Sequence, residues 1–139
     1  MDDFFKTAQR MWEDANILKN STNKKSWFNT CYLSGYILEC YGKLLLLSYG
    51  PSKRYGHDIS TINDSITDHI LINPSLAKYC LDFKKDCNTI YHEPNKWDPK
   101  KRYEGSTGIW DTEAIAEAYI TEAQCVMDMI NKMKLDGVI

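Results

Sequence analysis

The amino-acid sequence predicts an all-α protein, an antiparallel helical bundle of four principal helices with short additional helices. Apolar residues recur at steps of three and four in five segments, which is the period of an α-helix. No segment is typical of a β-sheet. The 139 residues suffice for a core that buries roughly two thirds of the surface exposed by the unfolded chain. We therefore expect one domain over residues 1–139.

The first helix is predicted to follow the candidate N-caps Asp2 and Asp3 and to fray out within residues 20–23. Its apolar stripe comprises Phe4, Ala8, Met11, Ala15 and Leu18.

The second helix is predicted to begin at Lys24 or Ser26 and to end at Ser48, because a Gly-Pro pair follows at residues 50–51. Gly35 and Gly42 lie seven residues apart on one face, and each costs about 1 kcal/mol relative to alanine in a helix interior. A close helix contact would compensate for this cost, so we expect a tight core crossing there.

A third, shorter helix is predicted after Asp58, with isoleucines in register at positions 59, 62, 66 and 70. A fourth is predicted as one continuous helix, opening at the Asn-Pro pair of residues 73–74 and ending at residue 92 or 93, before a proline. Its apolar stripe comprises Leu76, Cys80, Phe83, Cys87 and Ile90. The last helix is predicted to start at an Asp111 cap and to end near residues 134–137.

Composition excludes several classes of function. The net charge is −2 and the isoelectric point is near 5.9, so contact with RNA would need a local basic patch. No apolar run is long enough for a membrane span, and the chain begins Met-Asp-Asp, unlike a secretion signal, so a cytoplasmic protein without membrane contact is expected. The five cysteines have no metal-ligand spacing and are predicted to be reduced, mostly in the core. No cofactor or metal is expected.

Several motifs together resemble the HEPN family, the higher eukaryote and prokaryote nucleotide-binding domains. Glu39 precedes Lys43 by four residues, and a His57-Asp58-Ile59 step follows, similar to the family's histidine-aspartate-leucine. Arg102-Tyr103 stands before the closing helix, and the first two helices match the family layout. The resemblance covers nearly the whole chain and implies a helical bundle that forms homodimers.

Active members of that family carry an arginine, four to six residues and then a histidine, often with a polar residue directly after the arginine. Here Asn88 and His92 match this motif, and Cys87 stands in the arginine position. For active members the resemblance implies metal-independent RNA cleavage across a dimer interface. A neutral cysteine offers phosphate neither the charge nor the paired hydrogen bonds of a guanidinium, so the motif is degenerate. Lys85 and Arg102 are the candidate substitute cations, with Asn88 and His92 as the other candidate catalytic residues.

A second set of residues suggests ligand binding. Lysines 96, 100 and 101 with Arg102, interleaved with Trp97 and Tyr103, suit phosphate contact and base stacking. Interleaved acidic residues leave a solvated loop as an alternative. The candidate ligand-binding residues are His57, Asp58, Lys101, Arg102 and Tyr103.

His57 and Asp58 also have a structural interpretation, in which Asp58 caps the helix that it precedes. Glu39 and Lys43 are either a pair within their helix or contacts for a dimer partner or ligand. The orientation of Cys87, into the core or towards a cleft, decides which residue corresponds to the arginine of the motif. A core-facing Cys87 places Lys85 or Asp86 on the comparable surface.

The principal hypothesis is a non-catalytic HEPN-like domain that binds a nucleotide, RNA or a protein partner in a toxin–antitoxin or defence setting. The resemblance implies a nucleotidyltransferase as a possible protein partner. One alternative is an endoribonuclease in which His92 transfers the proton. A second alternative is a structural helical adaptor.

Overall fold

The computed structural model describes residues 3–21, 23–47, 56–103 and 109–139, with the backbone alone at positions 24, 25 and 102. These residues form helices without any strand, which confirms the all-α prediction. The four long helices are α1 (Phe4–Lys19), α2 (Lys24–Leu47), α3 (Ile59–Ile72) and α6 (Glu113–Leu135). Two single helical turns are α4 (Phe83–Asp86) and α5 (Asn88–Tyr91). The 3₁₀ turns cover Pro74–Tyr79 and Pro99–Tyr103. Within these ranges no helix combines the length and apolar character that crossing a membrane requires.

Helix α2 lies at the centre of the bundle and packs against α1, α3 and α6. The face of α2 that carries Gly35 and Gly42 is turned towards the core, because positions 31, 35, 38, 42 and 45 are all buried. Helix α1 runs antiparallel to α6. Lys19 near the end of α1 forms a 2.6 Å ion pair with Glu117 near the start of α6, and Lys134 near the end of α6 lies 5.1 Å from the Phe5 ring centroid.

Side chains cap the starts of α1, α3 and α6. The Asp3 carboxylate accepts a 3.0 Å hydrogen bond from the Lys6 N–H, and Asp58 caps α3, as predicted. Asp2 and residues 48–55, including the predicted helix end at Ser48, lie outside the described residues. The prediction that Asp111 caps the last helix was wrong, because the Thr112 hydroxyl accepts the hydrogen bond from the Ile115 N–H instead.

The predicted close crossing is confirmed at Gly42. A Cβ on Gly42 would lie 2.1 Å from a methyl carbon of Ile62, so only a glycine lets α3 approach α2 this closely. At Gly35 the close neighbour is the Trp97 side chain, which belongs to a loop and not to a helix.

The prediction of one continuous helix over residues 73–92 was wrong. A 3₁₀ turn covers Pro74–Tyr79, residues 80–82 are not helical, and two short helical turns follow with a break at Cys87. The Asp82 carboxylate caps α4 by accepting a 3.1 Å hydrogen bond from the Lys84 N–H.

Side chains from other helices satisfy the backbone groups that the interruption leaves unpaired. The Tyr41 hydroxyl donates to the Tyr79 carbonyl at 2.5 Å and accepts from the Leu81 N–H at 2.8 Å. The Asn63 side-chain oxygen accepts from the Phe83 N–H at 2.9 Å. The backbone can leave the helix here because α2 and α3 supply the missing hydrogen bonds.

Glu122 on α6 performs the same role at the start of α5. One of its carboxylate oxygens accepts from the N–H groups of Thr89 and Ile90 at 2.8 and 3.0 Å. None of these three tertiary partners can be recognised from the apolar pattern of residues 73–92, which is why the sequence indicated an unbroken helix.

Replacing Tyr41 with phenylalanine removes only the hydroxyl that joins residues 79 and 81 to α2. We expect the free energy of unfolding to fall by about 3 kcal/mol, because two buried backbone groups lose their partner. Urea denaturation followed by circular dichroism measures this change. Tyr91→Phe is the matched control, since the Tyr91 hydroxyl forms no hydrogen bond with any described residue. Equal stability of the two variants would contradict the bridging role.

Candidate functional site

The loop that follows α5 is fixed against α2 by Trp97. The indole occupies the space beside Gly35, where a Cβ would lie 2.1 Å from the ring. Its Nε1–H donates to the Tyr32 carbonyl at 2.9 Å, and its backbone N–H donates to the Ile90 carbonyl at 2.8 Å. Trp97 is 2% exposed, so it packs in the core. It therefore does not offer an open ring face to a nucleobase, although its place among the basic residues of the loop had suggested base stacking.

The start of the same loop is held at Asn95. The Asn95 carbonyl accepts hydrogen bonds from the Trp110 indole at 3.0 Å and from the Tyr119 hydroxyl of α6. Burial raises the pKa of the Tyr119 hydroxyl above its ordinary value, so this group remains a neutral donor. These contacts anchor both ends of the short segment between residues 95 and 97.

A cavity of about 600 Å³ lies between this loop, the middle of α2 and the start of α3. Its wall combines aromatic rings with charges of both signs. The lining residues are Tyr36, His57, Asp58, Glu93, Lys96, Trp97, Asp98, Pro99, Lys100, Lys101 and Tyr103.

Neutral groups hold two of the three lysines in the wall. The Lys96 ammonium donates to the Ser60 hydroxyl at 2.6 Å and lies 5.6 Å from the Tyr91 ring centroid. The Lys101 ammonium donates to the Lys96 carbonyl and lies 5.3 Å from the Trp110 ring centroid. Neither lysine forms an ion pair with a carboxylate in the described part of the chain, and the same is true of Lys100.

Backbone N–H groups engage two of the three carboxylates in the wall. Asp58 accepts from the Ser60 N–H at 2.9 Å, and Asp98 accepts from the Lys100 N–H at 2.9 Å. The third, Glu93, is exposed. None of the three carboxylates forms an ion pair with a lysine of the wall.

A buried carboxylate lies behind the cavity. Glu39 on α2 is 5% exposed, and its Oε2 lies 3.3 Å from the Lys43 ammonium, so the predicted pair within the helix is present. Its Oε1 contacts Nδ1 of His57, which the sequence did not connect with it. The His57 ring lines the cavity and packs edge-on against Tyr36, with 6.5 Å between ring centroids. A contact of Glu39 or Lys43 with a dimer partner stays a prediction.

The structure brings four of the predicted ligand-binding residues together. His57, Asp58, Lys101 and Tyr103 all line the cavity, and Tyr103 is 76% exposed at its edge. The fifth residue, Arg102, has its backbone in the 3₁₀ turn Pro99–Tyr103, but its side chain lies outside the described residues.

Three of the predicted catalytic residues lie outside the cavity wall. Lys85 is on α4, Asn88 is on α5 and His92 follows the end of α5, and all three are exposed. His92 is the C-cap of α5, and its Nε2 lies 3.1 Å from the Lys84 carbonyl oxygen.

Cys87 points into the core and is 0% exposed. Burial raises the pKa of its thiol, so the side chain is neutral and offers no charge to a phosphate group. Lys85 and Asp86, which precede Cys87 on α4, are both exposed.

Cysteines 31 and 40 are also buried, Cys80 is half-buried and Cys125 is exposed; all five cysteines carry free thiols. Among the described residues, no group of three or more His, Cys, Asp or Glu side chains is arranged to hold a metal ion.

Sequence reasoning missed Tyr36 and the contact between Glu39 and His57. The available signal was an acidic residue within an otherwise apolar helix face, because a buried carboxylate requires hydrogen-bond partners or counter-charges. Within the chain the pattern indicates Lys43 as that partner, because it lies one helical turn away, whereas His57 is distant in sequence.

Comparison of the chain with protein-family models, with curated proteins and with solved structures finds no match. The family resemblance therefore rests on the sequence motifs alone.

Proposed function

We propose that the cavity beside Trp97 binds a phosphate-bearing ligand, a nucleotide or a short stretch of single-stranded RNA, in a HEPN-like domain without nuclease activity. The observation that carries this proposal is the set of three lysines in the cavity wall, none of which is ion-paired with a described carboxylate. Lysine ammonium groups are common phosphate ligands, and they act as point charges that tolerate several ligand orientations.

The dimensions and the aromatic residues of the cavity support the same ligand class. A volume of about 600 Å³ falls within the range of roughly 300–1,000 Å³ that is typical of small-molecule sites. Tyr103, 76% exposed at the edge, can stack on a base, whereas the buried Trp97 serves as a floor. The chain has a net charge of −2, so no global positive field attracts the ligand. The attraction comes from direct contacts with the lysines, since the wall also carries three acidic side chains.

The position of Cys87 favours binding over cleavage. In the core it cannot contact a phosphate group, and the His92 region lies outside the wall that holds the lysines. The resemblance adds two further proposals, a homodimer and a nucleotidyltransferase-type protein partner in a toxin–antitoxin or defence system.

The endoribonuclease remains the second candidate because Lys85, Asn88 and His92 are all exposed and close in sequence. In that function His92 would transfer the proton of the attacking hydroxyl, and a lysine would stabilise the phosphate charge.

Lys100→Gln tests the binding function. We expect the Kd for a fluorescently labelled hexauridylate to rise about tenfold, because one charge-assisted hydrogen bond to phosphate is lost. Fluorescence anisotropy at fixed ionic strength measures this constant. Lys85→Gln is the matched control, since it removes an exposed lysine outside the cavity wall, and its Kd should change less than about twofold. Equal losses in the two variants would contradict binding in the cavity.

Cleavage of a mixed RNA pool in the presence of a chelator separates the two candidate functions. We expect RNA to stay intact with the wild-type protein and with His92→Ala, because the motif lacks its guanidinium. Cleavage by the wild type that disappears in His92→Ala would establish the endoribonuclease instead.

A further inference from the structure

The Glu39 carboxylate has two basic neighbours, and one of them reaches the cavity. Lys43 lies on the same helix and is 16% exposed at its side chain, while the His57 side chain is 61% exposed. The carboxylate itself is buried. One full negative charge is therefore held directly behind a histidine that a ligand can contact.

The contacts leave one ring nitrogen of His57 directed away from Glu39. Nδ1 donates to the Glu39 carboxylate, because an ionised carboxylate can only accept. Nε2 forms no hydrogen bond with any residue that the structure describes. Tyr36 packs against the ring, and the next residue, Asp58, is the N-cap of α3, so both ring and backbone are held in place.

Charged groups surround this histidine from each neighbouring element. Helix α2 contributes Glu39 and Lys43, and the N-cap of α3 contributes Asp58. The loop that closes the cavity contributes Glu93, Lys96, Asp98, Lys100 and Lys101. Glu39 is the one group among them with a direct hydrogen bond to the ring.

We propose that His57, oriented by Glu39, is the proton-linked ligand group of the cavity and contacts a phosphate group in its protonated form. This inference rests on the proposed function, since it assigns a partner to the phosphate in the same cavity. The neutral ring presents the lone pair of Nε2 to the cavity, and a lone pair repels a phosphate oxygen. The imidazolium ring presents an N–H group, which donates a charge-assisted hydrogen bond to that oxygen.

The two protonation states of His57 therefore have different affinities for the ligand, and by linkage the ligand raises the fraction of protonated His57. Histidine is the side chain whose charge ordinarily changes between pH 5 and 8, and this sets the pH range of the test. Lysine ammonium groups stay charged across the same range.

The test measures hexauridylate binding by fluorescence anisotropy at pH 6.0, 7.0 and 8.0 and at constant ionic strength. The phosphodiesters of this probe keep one negative charge each over the range, so the ligand adds no titration of its own. For the wild-type protein we expect the Kd to rise about tenfold from pH 6.0 to 8.0.

His57→Gln should bind with a Kd that changes less than about twofold over the same range and that equals the wild-type value at pH 8.0. His92→Gln is the matched control, because it removes an exposed histidine outside the cavity wall, and it should keep the wild-type pH dependence. Circular dichroism confirms that each variant is folded.

The outcomes separate the inference from the proposed function. Binding whose pH dependence survives in His57→Gln, or disappears in His92→Gln, would overturn the role of His57 while leaving the cavity as the binding site. Absence of hexauridylate binding by the wild type at every pH would overturn both.

Discussion

The cavity depends on one close contact, the Trp97 indole against Gly35 of the central helix. A Cβ at position 35 would lie 2.1 Å from the ring, so an alanine there would require the indole to move. The indole N–H and the backbone N–H of Trp97 are both hydrogen-bonded, to Tyr32 and Ile90. The lysines at 96, 100 and 101 flank this residue in sequence, and their position over α2 and the start of α3 follows from where Trp97 is held.

Side chains of α2, α3 and α6 support the segment that leads into the loop. Tyr41 and Asn63 take over the backbone hydrogen bonds of residues 79–83, and Glu122 does so at residues 89–90. This segment can therefore leave helical geometry without unpaired groups in the core. As a result the cavity is lined by residues from α2, the start of α3 and one loop. The buried Glu39 connects α2 to the start of α3 through its contact with His57.

The sequence was sufficient to predict the helices whose stability comes from their own apolar stripe and caps. Helices α1, α2, α3 and α6 follow the predicted periodicity, and Asp3 and Asp58 cap two of them. The unbroken helix over residues 73–92 was wrong because hydrogen bonds from Tyr41 and Asn63 compete with the helical ones, and such partners are distant in sequence. Among the predicted residues of the cavity, Lys101 and Tyr103 followed from charge and aromatic content, and His57 and Asp58 from the family-like motif. The Glu39–His57 contact requires knowledge of how α2 faces the start of α3.

Hydrogen exchange measured by mass spectrometry on Gly35→Ala and Gly42→Ala tests most directly whether the contact of Trp97 with Gly35 holds the cavity wall. Both substitutions add one methyl group at a crowded position of α2, but the crowded neighbour of Gly42 is Ile62 on α3. The account predicts that Gly35→Ala accelerates exchange in residues 95–103 at least about tenfold while α1 and α6 stay protected, and that Gly42→Ala leaves this loop unchanged. Unaltered protection of residues 95–103 in Gly35→Ala, or the same loss in both variants, would contradict it.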